Sequence, residues 1–188
     1  EPGVISEEAR TITVNGRILW TDRAGATHGL PQATVQIWEE DPVTPDDLLA
    51  TVVTDAAGNY TATVTDDDGI GGGGPDIYVR VLSQSSVALI HAPGVPGPYF
   101  MRSTTTDDVA NGATVTKNLT ANNSATNQNV FSVHHALVVA GAYAGQLNGT
   151  TPSRIETIYP TNVRTFSFFQ RSPAQLHIAL KGPGVANL

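Results

Sequence analysis

The chain has no cysteine, which excludes a disulfide framework and any thiolate metal site. Its stability has to come from packing, bound ions or association. Positive charge is scarce as well: 10 Lys and Arg stand singly against 17 Asp and Glu in 188 residues, for a formal charge of -7. No basic stripe is available to neutralise a run of phosphates, so nucleic acid is not an expected partner. No uninterrupted apolar run approaches the roughly 20 residues that cross a bilayer, and no membrane span is expected. Few lysines, many Thr and Asn, and a start at Glu1 rather than Met predict a secreted, extracellular or cell-surface prokaryotic chain whose signal peptide has been removed.

What is present favours strands. An apolar share of 40% with only 14% charged residues and abundant glycine suits a β-rich fold with many turns. TITVNGRILW puts Ile12, Val14, Ile18 and Trp20 on one parity and Thr11, Thr13, Asn15 and Arg17 on the other, as in a half-buried strand. Val35 and Ile37 repeat the alternation, and LLATVVT, YTATV, DIYVRVL, SVALIH, YFMRSTT and ATVTKNL follow at the spacing of a sandwich. Asp55 and Gly58 mark a tight turn ahead of Tyr60, a core residue. Lys117 shares the buried parity of Ala113, Val115 and Leu119 and reads as an edge lysine that snorkels to solvent.

The organisation expected is an N-terminal arm at 1–10, a sandwich at 11–120, a polar linker at 121–130 and a helix-plus-three-strand region at 131–188. TANNSATNQN carries no periodicity, as in a linker. The helix is expected to show Val133, Leu137, Ala140, Ala144 and Leu147 on one face, with Asn129 or Ser132 as N-cap and Gly149 just past its end. RIETIY, RTFSFF and AQLHIAL supply the strands, a sheet too small to stand alone. It has to pack on the sandwich or on another molecule.

Gly16, Asp22, Pro31, Ala33, Val35, Ile37, Trp38, Asp46, Asp47, Thr54, Asp55, Gly58 and Tyr60 follow a pattern that resembles the transthyretin-like and carboxypeptidase-regulatory-like (CnaB-like) domains. The resemblance implies a Greek-key β-sandwich without chemistry of its own. Phe131, Ser132, Ala136, Leu137, Tyr143, Pro152, Ile155, Tyr159 and Pro160 are similar to the non-catalytic region ahead of the catalytic domain in secreted bacterial zinc metalloproteases. No H-E-x-x-H occurs, so on that reading the chain is an accessory or pro-region lacking the protease. IWEEDP, GPYF and SPAQLHIAL are similar to intradiol dioxygenases, which hold iron with two Tyr and two His. Here Gln175 stands where a second histidine beside His177 is wanted, which leaves an oxygenase as a third reading.

Of the candidate sites, Asp66, Asp67, Asp68 and Asp76 on a glycine-rich loop are oxygen donors of the kind calcium takes, and calcium is the cofactor considered. Glu39, Glu40, Asp41, Asp46 and Asp47 form a second acidic loop, which reads first as a solvated hairpin end and only secondarily as a contributor to the same ion site. His134 and His135, adjacent on a helix, point about 100° apart and do not suit one ion. No catalytic set is complete, and no enzyme activity is expected. The functions expected are therefore a secreted structural or adhesive protein, with a fibre subunit assembled by exchange of the N-terminal arm as one form, and self-association or another extracellular protein as partner.

Overall fold

The computed structural model describes residues 10–66, 73–122, 125–162 and 166–179. Along the chain these form β1 (Arg10–Thr21), β2 (Thr27–Gly29), β3 (Thr34–Glu39), β4 (Asp47–Val53), β5 (Asn59–Asp66), β6 (Ile77–Leu82), β7 (Ala88–His91), β8 (Phe100–Arg102), β9 (Thr114–Thr116), β10 (Leu119–Ala121), α1 (Ala125–Asn148), β11 (Ile155–Ile158), β12 (Phe168–Arg171) and β13 (Ala174–His177). The chain is mainly β, a sandwich followed by one helix and a small set of strands, as the alternation predicts.

One layer is organised on β1. Its length lets it pair antiparallel with β5 from Arg10 to Arg17, parallel with β9 at Thr13–Asn15, parallel with β10 at Ile18–Trp20, and antiparallel with β2 at Leu19–Thr21. The second layer runs β4-β3-β6-β8, antiparallel throughout. Period-two alternation turns Ile12, Val14 and Ile18 from the first layer towards Val35, Ile37, Val79 and Val81 from the second. All seven are fully buried, and each contributes about 1.5–3 kcal/mol relative to exposure.

Gly16 interrupts the apolar parity of β1 for a steric reason. A Cβ there would lie 2.0 Å from the Lys117 carbonyl oxygen and 3.0 Å from the Tyr60 ring. The bare backbone lets the Tyr60 hydroxyl donate to the Lys117 carbonyl at 2.8 Å, and burial pushes that hydroxyl's pKa up. Lys117 itself departs from its expected place at a solvent edge: it is 6% exposed, and its Nζ donates to the Thr104 carbonyl at 2.7 Å and the Thr106 hydroxyl at 2.6 Å. Burial holds this ammonium below the ordinary lysine range, against an opposing pull from Asp107.

The helix begins at Ala125, inside the segment expected to be a linker, so Asn129 and Ser132 lie within it rather than capping it. Gly149, at φ 70°, follows its last residue in the left-handed conformation anticipated there. Its packed side also differs from the expected one. Val130, Phe131, His134, Val138 and Gly141 are buried, whereas Ala140, Tyr143 and Leu147 are exposed. Asn127–Asn148 is long and apolar enough by length and composition to cross a membrane; in this fold the helix lies against β7, β1 and β10.

The C-terminal strands build on β7, a strand that lies within the 11–120 segment but in neither of the two layers above. β11 pairs parallel with β7, and the sheet runs β12-β13-β11-β7. Ile90, Val130 and Tyr159 make a second apolar cluster beneath the helix, with Tyr99, Val133, Leu137 and Ile178 around it.

His134 is fully buried, with Nε2 donating to the Pro31 carbonyl at 3.2 Å and Nδ1 without a partner. Burial pushes its pKa from 6.5 down to about 4. The neutral ring is thus the folded form, and below pH 6.5 the unfolded chain takes up the proton first. Stability linked to this ring is complete above pH 6.5 and lost as pH falls through that window to 4, about 3 kcal/mol in all. Urea denaturation across these pH values is expected to show a shallower loss in His134→Gln than in the parent chain. Equal losses would mean that the folded ring is protonated as easily as the unfolded one.

Candidate functional site

The alternation that builds the core sends another set of side chains to the outer face of the β4-β3-β6-β8 sheet. Opposite in parity to Val35, Ile37, Val79, Val81 and Met101 stand Gln36, Trp38, Tyr78, Arg80, Phe100 and Arg102. Register brings them together: Trp38 lies directly across from Tyr78, Gln36 from Arg80, and Arg80 from Arg102. Between Ile37 and Trp38 the pairing with β4 shifts, so Trp38 faces Leu48.

The rings and guanidinium groups are layered. Trp38 and Tyr78 lie within 6° of parallel with centroids 6.4 Å apart. The Arg102 guanidinium sits 3.8 Å from the Tyr78 centroid, and Arg80 lies 4.8 Å from Trp38, 5.5 Å from Tyr78 and 5.4 Å from Phe100. Contacts of this kind contribute about 0.5–1 kcal/mol each at exposed sites, and more where water is excluded. Tyr78 is wholly covered, whereas Phe100 keeps 52% of its surface in solvent and Trp38 is half-buried.

Hydrogen bonds fix the layer from its rim. The Tyr78 hydroxyl donates to Asp46 Oδ2 at 2.6 Å, and its pKa is pushed up to about 12, first by burial and then by this bond. Arg102 pairs with Glu40 at 2.7 Å, and Glu40 also accepts from the Thr105 hydroxyl. The Arg102 bond, then the Thr105 bond, hold the Glu40 carboxyl below its usual range. The Trp38 indole donates to Gln36 Oε1 at 3.3 Å. Glu40 and Asp46, expected in a solvated acidic loop, thus serve as anchors of this face.

The other candidates are dispersed. Asp67 and Asp68 lie outside the described residues, as does the side chain of Asp66, whose backbone ends β5. Asp76 is engaged in the fold: its Oδ1 accepts from the Asp108 amide at 2.9 Å and its carbonyl from the Glu40 amide at 2.8 Å. Among the described residues no group of three or more His, Asp or Glu could hold a metal ion. His177 is buried, stacked 4.4 Å from Phe168, while Gln175 donates to Glu156 Oε2 at 2.6 Å. Glu156 Oε1 also meets His91 Nε2 at 2.9 Å, and the other nitrogen of His91 meets the Ala92 carbonyl at 2.8 Å. Both ring nitrogens of His91 are thus engaged within the fold. His135 and His28 flank Trp20 at 5.0 and 4.9 Å, with His28 bonded to Asp22, so His134 and His135 serve different neighbours.

No family model matches the chain, and no curated protein matches it. A solved structure, a 9R-lipoxygenase from Cyanothece PCC8801, is similar at 20% identity and a TM-score of 0.38, over 81% of this chain and 27% of the lipoxygenase. The chain thus spans about a quarter of that enzyme's length, and a likeness of this grade bears on neither fold nor activity.

The outer face carries no metal-binding or catalytic motif that would mark it in the sequence. Its signal was the polar parity of QIW, IYVRV and FMR, each of which pairs an aromatic with Gln or Arg two residues away. Tyr78→Phe is expected to lower stability by about 1–2 kcal/mol in urea denaturation, because Asp46 loses its donor while the ring stack stays. An unchanged midpoint would mean that water replaces the bond at no loss.

Proposed function

We propose that the chain is a non-catalytic, secreted binding module of the adhesive class, and that it meets extracellular polysaccharide with the outer face of the β4-β3-β6-β8 sheet. The observation that carries this reading is the aromatic and guanidinium layer in which Trp38, Arg80, Phe100 and Arg102 surround the covered Tyr78 ring. A solvated sheet face needs only polar side chains, whereas this one keeps half of Phe100 and part of Trp38 in contact with water. A sugar ring has an apolar face of C–H groups and a rim of hydroxyls. The first suits Trp38 and Phe100, and the second suits Gln36 and the arginine N–H groups.

The transthyretin-like resemblance supports the same reading, since its scaffold residues carry no chemistry. A module of this kind serves equally in a cell-surface protein or ahead of a secreted hydrolase. The layer is held by Asp46 and Glu40, so little side-chain entropy is lost on binding.

Affinity electrophoresis through gels containing pectin, alginate, xylan or mixed-linkage glucan tests the proposal. The chain is expected to be retarded by at least one of them, and Trp38→Ala with Phe100→Ala is expected to migrate freely. Absence of retardation in every gel, or full retardation of the double variant, would contradict it.

A further inference from the structure

The outer face carries a charge imbalance that a neutral sugar would leave unused. Arg80 and Arg102 stand directly opposite each other on β6 and β8, a relation in which like charges repel. Arg102 is neutralised by Glu40 at 2.7 Å. Arg80 has no carboxylate partner among the described residues, although the chain has 17 Asp and Glu to supply one. Its Nε is buried without an acceptor, and its guanidinium is steered by three rings, Trp38, Tyr78 and Phe100. That Nε is closed off from outside, so the terminal N–H groups, which no carboxylate of the described residues engages, are the ones an anion can meet.

Resting on the polysaccharide reading, we propose that Arg80 reads the carboxylate of a uronic acid residue in an anionic polysaccharide, while Trp38 and Phe100 hold the apolar face of the sugar. The planar guanidinium fork matches a carboxylate through two parallel N–H bonds, and the ring contacts fix its direction before the ligand arrives. One uncompensated cation matches the one carboxylate that each uronate ring carries. A strand spacing of about 4.8 Å makes the four-stranded face about 14 Å wide, room for a short run of such rings. The chain's net charge of -7 gives no long-range attraction for a polyanion, so recognition is a matter of contact. Salt dependence should then be shallow, with a log–log slope of about one, as for release of a single counterion.

Calorimetry with the full chain compares trigalacturonate with its methyl ester and includes a short polyglutamate as a peptide control. The acid is expected to bind about ten- to a hundredfold more tightly than the ester. Arg80→Gln is expected to abolish that ratio while keeping weak binding of both sugars, and Arg80→Lys, which keeps the charge without the fork, to lose most of it. Circular dichroism establishes that each variant is folded; should Arg80→Gln fail to fold, Arg80→Lys carries the comparison. Equal affinity for acid and ester in the parent chain would remove the carboxylate reading and leave the polysaccharide reading standing. Acid selectivity retained in a folded Arg80 variant, or tighter binding of polyglutamate, would also overturn the inference. Failure to bind either sugar, together with free migration in the gels above, would remove both readings.

Discussion

The rest of the fold depends on the place where β1 passes Tyr60 and Lys117. Gly16 leaves no room for a side chain, so the Lys117 backbone approaches β1 closely and its carbonyl accepts the Tyr60 hydroxyl. From that point β1 pairs with β5 on one side, and with β9 and then β10 on the other. The same Lys117 sends its Nζ to Thr104 and Thr106, in the segment between β8 and β9. Thr106 in turn bridges to Ile77 at the start of β6. One crossing thus ties the first layer to the sheet that carries the outer face. Buried polar groups satisfied in this way fix a register more sharply than apolar packing does.

The outer face inherits its order from that framework. Apolar side chains below β3, β6 and β8 set which residues point outward, and cross-strand pairing sets which of them meet. Anchoring from Asp46 to Tyr78 and from Glu40 to Arg102 then leaves Arg80, of the two arginines on this face, without a carboxylate among the described residues. The helix and the β12-β13-β11-β7 sheet close the molecule elsewhere, around Ile90, Val130 and Tyr159.

The alternation of β1 and β3 was legible, because burial on one side of a strand writes itself every second residue. So was the helix stop at Gly149, where φ is positive. The helix start was not: TNQN is polar, yet Gln128 turns inward to donate to the carbonyls of Thr21 and Asp22, a contact 106 residues or more along the chain. Lys117 shows the same limit in another form. Its parity gave the buried side correctly, but its two acceptors lie on a loop whose position no local pattern reveals. The outer face fell between these cases. Each strand displays its aromatic and its Gln or Arg in plain alternation, while the layer exists only once three strands are in register.

Whether the β4-β3-β6-β8 face receives an anionic sugar is read by nuclear magnetic resonance mapping of the labelled chain titrated with trigalacturonate. The largest shifts are expected at the Arg80 side-chain N–H, the Trp38 indole N–H and the Gln36 amide, with β1 and β5 unmoved. Shifts confined to α1 or to the His91 and Glu156 face, with Arg80 unaffected, would contradict it.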